Sequence, residues 1–125
     1  MFKVEKNKSL IKITRGDIGV LEVTARNKNK SAYTFKKGDI VRLGVYEKNN
    51  YKSIKLKKDI AVEDETLSVD IPLTKEDTSI GNIINQPVDY WYEVQLNPDT
   101  EPQTIVGHDE DGAKIFRLYP EGVEE

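Results

Sequence analysis

The residues with most scope for chemistry lie near the end of the chain, where the sole histidine, His108, precedes Asp109-Glu110-Asp111-Gly112. A catalytic histidine needs an orienting acid and a nucleophile within hydrogen-bond reach. No nucleophile-elbow pattern accompanies His108, and cysteine is absent, which excludes a cysteine nucleophile, a disulfide and a thiolate metal site. One histidine cannot build a multi-histidine metal centre. His108 therefore reads as a surface residue. The acidic run resembles a calcium loop, but an EF-hand loop carries its glycine deeper and ends on a distal glutamate. Gly112 comes fourth in this run, which reads as a solvated hairpin tip. No catalytic, cofactor-binding or metal residue is expected.

Binding residues are easier to find. Tyr90-Trp91-Tyr92 opens an alternating segment in which Tyr90, Tyr92, Val94 and Leu96 share one face. Trp91 then falls on the other face with Glu93 and Gln95. A large ring on a polar face gains from being covered, and Trp is enriched among residues that dominate interfaces. Either the N-terminal arm, through Phe2 or Val4, or another subunit is expected to cover it. Tyr46 and Tyr51 are the other exposed aromatics that a contact surface or a sugar-binding groove would use. The interface candidates are thus Trp91, Glu93, Gln95, Tyr46 and Tyr51. Between Lys48 and Lys58, five lysines alternate with Ile54 and Leu56. That is the pattern of an edge strand whose lysines prevent stray pairing. Arg15-Gly16-Asp17 matches the integrin tripeptide, but a motif without structural context is weak and these residues suit a tight turn.

Positioning these residues falls to strands. Leu21, Val23 and Ala25 alternate with polar neighbours, as do Val41, Leu43 and Val45, and Leu67, Val69 and Ile71. Shorter candidates are Leu10–Thr14, Ile54–Ala61, Thr104–Val106 and Lys114–Tyr119. With the Tyr90–Leu96 segment this makes about eight strands. Turn residues separate them at Lys37-Gly38-Asp39, Lys48-Asn49-Asn50 and Asn97-Pro98-Asp99. One short helix is expected over Lys75–Ser79, with Thr74 as its cap, Asp77 completing a capping box and Gly81 beyond its end. The expected core is Leu21, Val23, Val41, Leu43, Val45, Leu67, Val69, Ile71, Tyr92, Val94 and Leu96.

The 125 residues suit one domain, with residues 1–9 as an N-terminal arm and 120–125 as a C-terminal tail. The net charge of -3 argues against nucleic acid as the main partner. No apolar run approaches the ~18 residues of a membrane span, and the N-terminus lacks the apolar core of a signal peptide. Residues 1–60 carry a net +10 and residues 61–125 a net -13. The expectation is that the halves interleave in the sheets and their charges largely pair. The sharper alternative is a dipolar surface for contacts with copies or neighbours.

The order of pieces resembles a known family. Ile13-Thr14-Arg15-Gly16-Asp17 leads into an apolar strand, followed by Phe35-Lys36-Lys37-Gly38-Asp39-Ile40-Val41-Arg42-Leu43. Then come Leu67 to Leu73 with Thr74 to Thr78, the aromatic strand Tyr90–Leu96, and Thr104-Ile105-Val106. From about residue 10 to 119 this is similar to the immunoglobulin-like N-terminal domain of phage baseplate upper proteins and related prophage tail proteins. The resemblance implies an all-β, immunoglobulin-like antiparallel β-sandwich. It implies a non-catalytic virion component, made in the host cytoplasm, whose partners are other tail proteins or its own copies. Such proteins continue into a fibre-like part, and this chain's stop at Glu125 leads us to expect an adaptor rather than a receptor-presenting subunit. The alternative is a bacterial carbohydrate- or surface-binding β-sandwich module.

Overall fold

The alternation carries over into strands. The computed structural model describes residues 3–5, 10–27, 29, 31–81, 84–109 and 112–121. Among these it has nine strands and one short helix: β1 (Lys3–Glu5), β2 (Leu10–Thr14), β3 (Gly19–Val23), β4 (Ile40–Glu47), β5 (Asn50–Ala61), β6 (Val69–Leu73), α1 (Lys75–Thr78), β7 (Val88–Leu96), β8 (Gln103–Val106) and β9 (Lys114–Tyr119). The protein is mostly β, as the sequence implies. Residues 3–5 of the expected N-terminal arm belong to a strand.

The large sheet runs β1-β2-β9-β7-β4-β5, and β8 also pairs with β7. On the side of β7 away from β4, β9 takes Val88–Tyr92 and β8 takes Val94–Leu96. A second sheet consists of β3 and β6, with Leu21 opposite Ile71. The expectation of a purely antiparallel arrangement needs correcting. β2 and β9 run parallel, with Ile11 opposite Phe116 and Ile13 opposite Leu118. Parallel neighbours need a long connection rather than a hairpin, and nearly the whole chain lies between these two.

One hydrophobic cluster draws on both sheets. Every residue of the expected core is buried except Leu67, which is 58% exposed. The β3–β6 ladder closes at Val23 and Val69, so Leu67 lies past its end. Its neighbour Thr66 is bridged to Phe35 instead. Phe35, Ile11, Ile13, Phe116 and Leu118 are fully buried and join the core, as do Val62, Leu73, Ile80 and Tyr90.

Helix α1 starts as its cap dictates. The Asp77 N–H donates to Thr74 Oγ1 (3.2 Å) and the Thr74 N–H donates to Asp77 Oδ2 (2.9 Å). It ends at Thr78, one residue early, with Ser79 as the C-cap. The buried Thr78 hydroxyl donates to the Asp17 carbonyl (2.7 Å), tying the helix to the first turn.

The halves interleave as expected. In the large sheet β2, β4 and β5 come from the basic half, and β7 and β9 from the acidic half. Ion pairs join the two halves at Arg15–Glu121, Lys58–Asp77 and Arg42–Asp99. The lysine-rich β5 is an edge strand, and its Ile54 is 57% exposed.

Candidate functional site

The alternation of β7 buries Tyr90, Tyr92, Val94 and Leu96 and turns Trp91, Glu93 and Gln95 outward, each partly buried. Pairing with β4 sets Tyr46 opposite Trp91, Gly44 opposite Glu93 and Arg42 opposite Gln95. The β4–β5 register slips at Tyr46. Beyond the slip, the Tyr51 ring lies 5.2 Å from Tyr46 and 5.0 Å from Trp91, centre to centre. His108, just after β8, stands edge-on to Trp91 at 5.9 Å and lies 6.5 Å from Tyr51.

Four of the five residues expected at an interface therefore meet: Trp91, Glu93, Tyr46 and Tyr51. Gln95 sits farther along the same face, opposite Arg42, whose guanidinium is taken up by Asp59 and Asp99. His108 is the residue that sequence reasoning missed. It joins the cluster through β8's pairing with β7, which no local pattern announces.

Two glycines shape the ground around Glu93. A β-carbon on Gly44 would stand 2.3 Å from the Tyr46 hydroxyl oxygen, so the Tyr46 ring occupies the space that a side chain there would need. A β-carbon on Gly107 would meet Thr104 Cγ2 at 2.6 Å and Glu93 Cβ at 3.7 Å. Laid over Gly44, the Tyr46 hydroxyl donates to Glu93 Oε1 (3.0 Å). Burial, reinforced by that bond and the Glu93 charge, pushes the Tyr46 hydroxyl up to about 12. Burial and the charge of Glu93 push Tyr51 in the same direction. Both phenols stay protonated near neutral pH and so can donate. The Tyr51 hydroxyl is buried and has no hydrogen-bond partner among the described residues.

Tyr46, Tyr51, Glu93, Thr104 and His108 line a shallow cleft of about 360 Å³. Among the described residues Glu93 forms no ion pair. Aromatic faces around one carboxylate suit recognition by stacking, cation–π attraction and hydrogen bonding. A larger hollow of about 580 Å³, lined by Thr24–Asn27, Tyr33, Leu96 and Gln103–Ile105, has no such cluster. The hydroxyl of Tyr33, its one aromatic residue, is already given to Asp39 (2.8 Å).

Within the chain, part of the cover over Trp91 comes from neighbouring rings. Tyr51 and His108 flank the indole. Val4 lies in β1, which β2 and β9 separate from β7, and Phe2 lies outside the described residues. The Arg15-Gly16-Asp17 turn is tied inward: Arg15 donates to the carbonyls of Ile80 (3.2 Å) and Gly81 (2.9 Å) and pairs with Glu121. In the acidic hairpin, Asp109 is held by Lys114 (2.9 Å), and Glu110 and Asp111 lie outside the described residues.

Comparison with known protein families, curated proteins and solved structures finds no match.

Proposed function

We propose that the chain is a non-catalytic docking module of a phage or prophage tail, built as an immunoglobulin-like sandwich. It binds other virion proteins, or further copies of itself, through the outer face of the large sheet. The observation that carries this reading is the cluster of Trp91, Tyr46, Tyr51 and His108, which gathers on the face turned away from the core. Aromatic rings of this kind anchor protein contacts because they bury a large area at small conformational cost. Two further features support the reading. The first strand of the β2–β9 pair runs parallel to the last, and β3–β6 forms a separate sheet, an arrangement compatible with an immunoglobulin-like topology. The sequence resemblance to baseplate domains points the same way.

Phage origin is tested by the genes on either side of this one. Tail-morphogenesis genes there support the reading, and a setting of metabolic genes rejects it. A second reading, a carbohydrate-binding module, is favoured by the cleft beside Trp91, where Thr104 and Glu93 offer polar groups between aromatic walls. A glycan array separates the two.

A further inference from the structure

We infer that the cleft at Glu93 is the seat of a cationic anchor, the lysine side chain of a docking protein partner. The inference rests on the docking reading and names the chemistry of its central contact.

A cation directly across the ladder stabilises a carboxylate on a sheet face. Across the ladder from Glu93 stands Gly44, which offers none. The nearby Arg42 is engaged by Asp59 at 2.7 Å and 2.9 Å and by Asp99 at 3.0 Å. Lys57, opposite Gly44 on β5 and so on the same face, forms no ion pair with Glu93 among the described residues, and Lys55 pairs with Glu47. Glu93 accepts from the neutral Tyr46 hydroxyl, which leaves its charge uncompensated among the described residues.

The surroundings of that charge are aromatic. Tyr46, Tyr51 and His108 line the cleft, and Trp91 backs Tyr51 at 5.0 Å. Ring faces attract an alkylammonium, and a partly desolvated carboxylate beside them adds a charge-assisted hydrogen bond. The methylene stem of a lysine would lie against the rings while its head meets Glu93. A neutral sugar gains from the rings but does nothing for the unpaired charge. A lysine answers both features.

Trp91 is the only tryptophan, so its emission reports on the site. The full chain is titrated with acetyl-Gly-Lys-Gly-amide, with the same peptide carrying norleucine for lysine, and with N-acetylglucosamine. The lysine peptide should shift the emission saturably and bind roughly tenfold or more tighter than the norleucine peptide. Glu93→Gln, with its fold checked by thermal melting, should erase that difference. Equal binding of the two peptides overturns the inference, and so does saturation by the sugar alone. The wild-type comparison needs no variant, so misfolding of Glu93→Gln does not blunt the test. The titration involves no tail protein. A lysine-specific response upholds the cleft chemistry, and if every tail protein then fails to bind the chain, the docking reading alone is rejected. Tail-protein binding without a lysine-specific response does the reverse.

Discussion

The ring of Tyr46 lies over Gly44, with its hydroxyl oxygen 2.3 Å from the point where a β-carbon on residue 44 would stand. Glycine in a strand is ordinarily about 0.5–1 kcal/mol worse than alanine. Here the steric term wins, because the added methyl must push Tyr46 off its seat and away from Glu93. Overpacking of this kind costs about 1–3 kcal/mol. Gly44→Ala should therefore lower stability in urea unfolding. Adding Tyr46→Ala should make the same glycine replacement neutral or stabilising. Net stabilisation by Gly44→Ala in the wild-type background would contradict the close approach.

The buried Asp39 should make stability fall in acid. Burial pushes its carboxyl up, but the Lys36 N–H, the Asn97 amide and the Tyr33 hydroxyl together hold it below its ordinary 3.8. A lowered folded value means that the stabilisation is complete above the ordinary value and is lost as pH falls through the folded one. Asp39→Asn should cost about 2–3 kcal/mol at neutral pH, by losing charged acceptors for three donors. That gap between variant and wild type should narrow toward pH 2. A gap that stays constant with pH would show that Asp39 is not held as an anion.

Val94, inside β7, and Leu67, beyond the end of β6, should respond differently. Val94 is 1% exposed, and Val94→Ala should cost about 1–3 kcal/mol through lost burial and a cavity. Leu67 is 58% exposed, and Leu67→Ser should stay within about 0.5 kcal/mol of wild type. Denaturant melts that reverse this order would refute the register.

Much of this was legible in the sequence because a strand's side chains alternate faces whatever the strand pairs with. The inward set of β7, the outward Trp91 and Glu93, and the capping box of Thr74 and Asp77 all follow from local spacing. What spacing cannot show is where a strand's partner stops. Leu67 continues the alternation of Val69 and Ile71, yet β3 offers no strand pairing beyond Val23 to cover it. Nor does spacing show which distant segments meet. The parallel β2–β9 pair and the approach of His108 to Trp91 depend on strand order, set by the packing of the whole chain. Lys114–Tyr119 alternates less cleanly, because Ile115 and Phe116 are both apolar and so are Leu118 and Tyr119, and spacing alone does not say that Phe116 and Leu118 are the inward pair.

The central claim, that the outer face around Trp91 is a docking surface, is tested most directly by calorimetric titration. The wild-type chain and Trp91→Ala are each titrated with the purified tail proteins encoded beside this gene. Wild type should bind one of them. Trp91→Ala should melt close to wild type yet bind that protein more weakly by about 2 kcal/mol, roughly thirtyfold. Equal affinity of wild type and Trp91→Ala, or no binding by wild type to any of them, would contradict the account.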